Sequence, residues 1–178
     1  DLVTNISPDH FGEYGIDNLD GLADVKLSIT HLLDRAGLLV LNADDALLRA
    51  KSDVLRQRLG WQPMLGWFAR QYDHPALVQH RALLGATSGV RAGRLWLSSG
   101  SREHDLGAVV DMPLTVAGTA TYNVENLAGA ALVATRLGVP PLTIAQVFAA
   151  FGRDPADNAG RLMRFDIGGV KIIVDYAH

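Results

Sequence analysis

A short, unbroken run of apolar residues, Leu38-Leu39-Val40-Leu41, lies between two longer stretches with helical spacing and constrains the fold more than any other feature. A run this short with no polar residue at alternate positions is typical of a strand buried on both faces. Asn42-Ala43-Asp44-Asp45 follows as a turn. A helix is then predicted from about Asp45 to Leu59, where Gly60 ends it. Helix, strand and helix in this order predict an α/β protein with a parallel sheet.

The first 26 residues place polar side chains at the end of another strand. Residues 2–6 are typical of a strand end, and Pro8 excludes a helix after it. His10 is therefore expected on a loop at the carboxyl edge of the sheet, where α/β proteins bind ligands. A helix is predicted to begin near Asp17 or Asn18, with Lys26 on or beside its buried face. The apolar residues assigned to that face are Leu19, Leu22, Val25, Ile29, Leu32 and Leu33.

Composition excludes several classes of function. The 178 residues carry a net charge of −3 and no cluster of Lys and Arg, which gives no support to nucleic-acid binding. Cysteine is absent, so disulfides and thiolate metal sites are excluded. No apolar run reaches the ~18 residues that span a bilayer, and a cytoplasmic protein is predicted. The oligomeric state is left open, with a homo-oligomer as one option. The chain opens inside one strand and ends after another, which indicates an internal segment of a longer protein.

Residues 61–120 differ in character from the first 60. Large aromatic and apolar side chains alternate with Gly and Pro, and short strands are predicted at residues 93–97 and 108–110, with a polar loop over residues 98–105. This pattern indicates a small β-rich subregion beside the parallel sheet. His74, His80 and His104 lack the spacing of metal ligands and are interpreted as surface or hydrogen-bonding residues.

The last third of the chain combines a helix with a hairpin. Asn123 is a good N-cap for an Ala-rich helix that Gly138 ends, and Asn126 falls in its first turn. A shorter helix is predicted from about Thr143 to Phe151. Residues 162–176 then form a hairpin around Gly168-Gly169 and place the tetrapeptide Asp175-Tyr176-Ala177-His178 at a strand end.

Several of these segments together resemble the Mur ligase superfamily of ATP-dependent enzymes that form amide bonds. The resemblance is carried by Asp9-His10 with Lys26, by Gly118 with Asn123 and Asn126, and by Gly160-Arg161 with the final tetrapeptide. It implies that residues 1–155 are the later part of a central P-loop ATPase domain that lacks its first strands. Residues 156–178 would begin a Rossmann-like C-terminal domain. Two departures are Tyr122, where many members have His, and Ala159, where Pro is frequent.

The resemblance also implies a role for each matching residue, with ATP and Mg²⁺ as cofactors. His10 would ligate Mg²⁺, and Lys26 would contact the metal as a carbamate, because an ammonium group repels Mg²⁺ whereas a carbamate offers it anionic oxygens. Asn123 and Asn126 belong to the nucleotide motif, with Asn126 at adenine. Arg161 would approach the phosphates and ribose. The remaining matches are Asp175 at the ribose hydroxyls and His178 near the terminal phosphate, and Lys26 and His178 are the predicted catalytic residues.

The implied reaction is the ligation of an amino acid to a carboxylate through an acyl phosphate. Residues 61–120 are most similar to the cyanophycin synthetase branch, in which arginine is added to aspartate side chains of a peptide acceptor. A muramyl-peptide or folylpolyglutamate-type ligase is one alternative, and a nucleotide-binding module without catalysis is another. The chain contains no Gly-Lys-Ser or Gly-Lys-Thr, and Ala50-Lys51-Ser52 lies within a predicted helix. The 178 residues alone are therefore expected to bind nucleotide weakly, to have an aggregation-prone sheet edge and not to hydrolyse ATP.

Overall fold

Eight strands and five α-helices follow one another along the chain in the computed structural model, which describes residues 1–8 and 15–176 apart from the side chains of residues 56 and 155. The strands are β1 (Leu2–Val3), β2 (Leu38–Asn42), β3 (Met64–Gln71), β4 (Ala86–Arg91), β5 (Arg94–Ser99), β6 (Arg102–Ala108), β7 (Met163–Ile167) and β8 (Val170–Val174). The helices are α1 (Leu19–Leu27), α2 (Ala46–Leu59), α3 (Pro75–Ala82), α4 (Thr121–Arg136) and α5 (Pro141–Ala150).

The first six strands form one sheet in the order β1-β2-β3-β4-β5-β6. The pairs from β1 to β4 are parallel, and β5 and β6 add to the sheet antiparallel. The predicted parallel sheet of an α/β protein is therefore confirmed. The β-rich region of the sequence continues this same sheet, because β3 and β4 belong to its parallel part.

Both faces of the sheet are covered by helices, and β2 shows why its sequence has no polar alternation. Leu39 and Leu41 pack on one side with residues of α1, α2 and α3. Leu38 and Val40 pack on the other side with residues of α4 and α5. All five residues of β2 are buried, as the apolar run predicted. The carboxyl ends of β1, β2 and β3 therefore lie at one edge of the sheet, between the two helical layers.

The predicted buried face of the first helix was wrong in part. The helix begins after the N-cap Asn18, as expected, but it ends at Leu27 and tightens into a 3₁₀ turn over Ser28–Leu32. Within α1 itself Val25 is 53% exposed, and after the change of pitch Leu32 is 86% exposed. The residues of α1 that face the core are Leu22, Ala23 and Leu27.

The polar loop predicted over residues 98–105 was also wrong, since residues 98–99 end β5 and residues 102–105 belong to strand β6. This strand is at the edge of the sheet and is largely exposed, with only Leu106 buried. Charged residues are typical of an edge strand, because they discourage pairing with other chains. Ion pairs with the neighbouring strands, Arg94 with Asp105 at 2.6 Å and Arg91 with Glu103 at 3.3 Å, hold it. The next predicted strand, residues 108–110, was wrong as well, because a 3₁₀ turn runs over Val109–Asp111.

The predicted hairpin is confirmed as a separate two-stranded sheet of β7 and β8. Gly168 and Gly169 have φ angles of 61° and 81°, which only glycine adopts without strain in such a turn. The proposed domain boundary near residue 155 falls at a 3₁₀ turn over Pro155–Asn158. That boundary remains a prediction.

A cluster of aromatic and charged side chains packs around Tyr72, just after β3. The buried Tyr72 hydroxyl donates to Glu103 Oε1 at 2.8 Å, and the Arg81 guanidinium carbon lies 3.9 Å from the centre of the Tyr72 ring. Arg91 stacks over Tyr72 and Trp96. Burial, together with the bond to the Glu103 carboxylate, raises the pKa of Tyr72 to about 12. The cluster therefore stabilises the protonated phenol.

Alkaline pH is expected to destabilise the protein through Tyr72. The unfolded phenol ionises near its ordinary pKa of 10.0, whereas the folded phenol keeps its proton to about pH 12. The free energy of unfolding should therefore be unaffected by this group below pH 10 and should fall as pH rises towards 12, by at most about 3 kcal/mol. Urea unfolding of the wild type and of Tyr72→Phe across this range measures the effect. Parallel pH profiles for the two proteins would contradict it.

Candidate functional site

The carboxyl edge of the sheet brings together three strand ends. Asn5 follows β1, Asn42 ends β2, and Arg70 lies at the end of β3. Because β1, β2 and β3 are parallel neighbours, the segments that follow them emerge side by side. This is the edge at which α/β sheets bind ligands.

The acidic turn after β2 ties these strand ends together. Asp45 caps α2 by accepting from the Leu47 and Leu48 amides through Oδ1, and its Oδ2 accepts from the Ile6 amide at 2.7 Å. Asp44 Oδ2 accepts from the Arg70 amide at 2.7 Å. The turn predicted after β2 therefore has a structural role, because both carboxylates are used by backbone N–H groups.

Lys26, predicted on or beside the buried face of the first helix, lies beside the carboxyl end of β1. Its side chain is half-buried, and Nζ donates to the Asn5 carbonyl oxygen at 3.1 Å. Lys26 and Asn5 also line a small pocket of about 190 Å³, with Leu2, Val3, Thr4 and Ile29. Among the residues that the structure describes, Lys26 therefore pairs with no acid, and its Nζ is held by a backbone carbonyl oxygen. A carbamate at Nζ would keep one N–H and so the bond to Asn5.

Only part of the predicted metal site lies among the described residues. His10 lies outside the described residues, and those residues contain no group of three or more His, Cys, Asp or Glu that could hold a metal ion. An ammonium group is not a ligand for Mg²⁺, whereas a carbamate on Lys26 would supply oxygens of the required kind. A Mg²⁺ site built from His10 and a carbamate on Lys26 therefore stays a prediction.

Four predicted nucleotide-binding residues line one pocket. Asn123, Asn126, Arg161 and Asp175 surround a cavity of about 290 Å³, which Tyr122, Asn158 and Leu162 complete. The members come from the start of α4, the turn before β7 and the end of β8. The fold therefore brings together residues that are up to 52 positions apart, from Asn123 to Asp175.

Local hydrogen bonds fix the walls of this pocket. Asn123 Nδ2 donates to the Leu114 carbonyl oxygen at 2.8 Å. Arg161 Nη1 donates to the Tyr176 carbonyl oxygen at 3.3 Å, and Asp175 Oδ1 accepts from the Leu162 amide at 3.4 Å. The prediction that Asn123 caps α4 was wrong, because the helix already begins at Thr121. His178, the other predicted catalytic residue, lies outside the described residues.

Sequence reasoning missed a link between β3 and α4. The Arg70 Nε group bonds to Glu125 Oε1, and Glu125 precedes Asn126 in the first turns of α4. Glu125 is largely buried for a carboxylate, with 15% of its side chain exposed. No spacing in the sequence relates residues 70 and 125, so only the folded chain reveals the pair.

Comparison with known proteins bears on the identity of the chain. No family model matches it. The cyanophycin synthetase of Synechocystis sp. (strain ATCC 27184 / PCC 6803 / Kazusa) is 29% identical over 177 residues, which is 99% of this chain and 20% of that protein. The UDP-N-acetylmuramate–L-alanine ligase of Kineococcus radiotolerans is 30% identical over 182 residues, which is 100% of this chain and 33% of that protein. The chain is a homologue of the Mur ligases.

The Mur-ligase-like character extends over the whole chain, so the predicted resemblance is confirmed. A shorter match of higher identity, 49% over 53 residues, is to the UDP-N-acetylmuramoylalanine–D-glutamate ligase of Chlorobium luteolum and covers 30% of this chain and 11% of that protein. The chain spans about one fifth of the length of the cyanophycin synthetases and about one third of the muramate–alanine ligase. Among the described residues of this Mur-ligase-like chain, no helix is long and apolar enough to cross a membrane.

Proposed function

We propose that this Mur-ligase-like chain forms part of the ATP site of a carbon–nitrogen ligase of the EC 6.3.2 type. The observation that supports this most is the pocket shared by Asn123, Asn126, Arg161 and Asp175. Its volume of about 290 Å³ is near the lower end of ligand sites, which hold roughly 300–1,000 Å³. An open pocket with amide, guanidinium and carboxylate groups suits a nucleoside with attached phosphates.

Each group in the pocket has a chemical role in this proposal. The side-chain amide of Asn126 can donate to and accept from the adenine edge at once. The Asp175 carboxylate can accept from ribose hydroxyls, and the Arg161 fork matches phosphate oxygens. His10 and a carbamylated Lys26 would hold Mg²⁺, which supplies charge stabilisation at the transferring phosphoryl group when bound. His178 would lie near the terminal phosphate.

The proposed reaction has two steps. A carboxylate oxygen of the acceptor attacks the terminal phosphorus of ATP, which releases ADP and forms an acyl phosphate. The amine of an amino acid then attacks the acyl carbon, and phosphate leaves as the amide forms. Positive groups of the chain stabilise the charge that develops on the phosphoryl oxygens. A reaction that consumes ATP is consistent with a cytoplasmic protein.

We favour arginine as the amino acid and an aspartate-containing peptide as the acceptor. Five cyanophycin synthetases are 26–29% identical to this chain over 99% of its length. Two UDP-N-acetylmuramate–L-alanine ligases match at 30%, which favours alanine with UDP-N-acetylmuramate as the second candidate pair. ADP formation by the full-length protein with each pair, and trapping of the acyl phosphate by hydroxylamine, tests both. ADP formation that requires neither an amino acid nor an acceptor would refute a ligase.

Replacing Asn126 by alanine is expected to weaken ATP binding without changing the affinity for the amino acid. Loss of the adenine contact should cost about 1 to 3 kcal/mol, or about 5- to 150-fold in the Kd or KM for ATP. Calorimetry on this chain and steady-state kinetics on the full-length protein measure the two quantities. Gln79→Ala removes an exposed amide from α3, on the opposite face of the sheet, and is the matched control. A change confined to the KM of the amino acid would contradict the assignment.

A further inference from the structure

Three arginines line a second pocket, next to the candidate nucleotide pocket. It holds about 330 Å³ between the end of α5, the turn at residues 113–115 and the start of β7. The two pockets share a wall made of Asn158, Arg161 and Leu162. The charged residues around the second pocket are Arg153, Asp154, Arg161 and Arg164.

The three guanidinium groups have no carboxylate partner among the described residues, where the ion pairs involve other side chains. Each one donates to a backbone carbonyl oxygen instead. Arg153 bonds to Ala149 at 2.8 Å, Arg161 to Tyr176 at 3.3 Å, and Arg164 to Pro113. A guanidinium has five N–H donors, so most of the donors around this pocket remain for a ligand or water.

The nearby carboxylates are already occupied by the backbone. Asp154 Oδ1 accepts from the Ala156 amide at 2.8 Å. Asp157 Oδ2 accepts from the Gly152 amide at 2.9 Å and from the Asp154 amide at 3.3 Å. Three arginines and one aspartate give the lining a charge of +2, in a chain whose net charge is −3. The pocket therefore concentrates positive charge that the fold itself does not neutralise.

We propose that this arginine pocket is an oxyanion site, which holds a carboxylate or phosphate group beside the bound nucleotide. Guanidinium groups bind both anions through paired, charge-assisted hydrogen bonds. The shared wall would place such a group next to Arg161, within the same segment that contacts the nucleotide. The bound anion has two candidate sources. A carboxylate from an acidic acceptor peptide rests on the proposed ligase function, whereas a phosphate group requires only that a polyphosphate ligand binds.

The test is a binding titration of the 178-residue chain with two probes, a tetra-aspartate peptide and inorganic tripolyphosphate. The double variant Arg153→Gln/Arg164→Gln is expected to bind one of them at least about 10-fold more weakly than the wild type. Loss of the peptide identifies a carboxylate site, and loss of tripolyphosphate alone identifies a phosphate site. The matched control, Arg102→Gln/Lys171→Gln, removes the same two charges away from the pocket and should bind both probes as the wild type does.

Equal losses in the two double variants would overturn the proposal, because they would show attraction to overall charge only. If the Arg153/Arg164 variant does not fold, the wild type still decides the question. The Nε–Hε signals of Arg153 and Arg164 should then shift in NMR spectra when the probe is added, and unmoved signals would overturn the proposal. The nucleotide assignment is tested separately, by the affinity for adenosine. If Asn126→Ala leaves that affinity unchanged, the nucleotide assignment fails.

Discussion

Replacing Lys26 by alanine is expected to reduce the kcat of the ligase reaction proposed for the full-length protein by about 100-fold or more, which is the scale of losing one preorganised electrostatic contact at a transition state. Lys26 Nζ lies 3.1 Å from the Asn5 carbonyl oxygen at the ligand-binding edge of the sheet. A carbamate built there would present anionic oxygens while its remaining N–H kept that bond. Steady-state kinetics at saturating ATP measure the loss.

The chemistry of Lys26 can be separated from its packing by substitution and rescue. Lys26→Arg keeps the positive charge but cannot take up CO₂, so it should be as inactive as the alanine variant. Added bicarbonate should not restore activity to Lys26→Ala, whereas acetate, as a small carboxylate in the vacated space, is expected to restore part of it. Wild-type rates in Lys26→Ala would refute the role of this side chain.

Replacing Gly89 by alanine is expected to lower the free energy of unfolding by about 2 to 3 kcal/mol. A Cβ at this position of β4 would lie 2.8 Å from the Ala69 carbonyl oxygen, 2.9 Å from the Tyr72 amide nitrogen and 3.0 Å from the Tyr72 Cα. These are backbone atoms at the irregularity in the β3–β4 pairing, so they cannot rotate away. For a chain of this length the melting temperature should fall by about 4 to 12 °C.

Gly66→Ala on β3 is the matched control for Gly89→Ala. Its Cβ would meet only side-chain atoms of Leu38 and Val40 at 3.4–3.5 Å, which is ordinary contact. Both substitutions reduce the freedom of the unfolded chain equally, so their difference isolates the steric effect. Equal melting temperatures for the two variants would contradict the proposed clash.

The parts of the fold that the sequence predicts well are those governed by local chemistry. The apolar run of β2 requires burial on both faces, and Gly168-Gly169 specifies a tight turn. Asp45 caps α2 with its own side chain, as its position suggests. The predictions that failed concern features that the local sequence does not determine. The 3₁₀ turn after Leu27 leaves Leu32 away from the core, and the charged strand β6 is held by ion pairs with β4 and β5.

The candidate site also contains residues that the sequence indicated and residues that only the fold reveals. The resemblance to the Mur ligase superfamily singled out Asn123, Asn126, Arg161 and Asp175, and the fold places all four around one pocket. Their roles stay predictions, as do those of His10 and His178 outside the described residues. The bond between Arg70 and Glu125 and the arginine pocket arise from tertiary neighbours that are distant in sequence, so no local pattern announces them.

The acidic turn after β2 affects how an alanine scan of this edge should be interpreted. Two adjacent aspartates at a ligand-binding edge invite assignment as metal ligands, and their removal would be expected to impair activity. Their carboxylates, however, anchor the amides of Ile6 and Arg70, so alanine there releases two strand ends at once. Only at Asp44, which accepts from the Arg70 amide through one oxygen, would asparagine remove the negative charge and keep that hydrogen bond. Asp45 uses both, one on α2 and one on Ile6, and has no neutral isostere that keeps them.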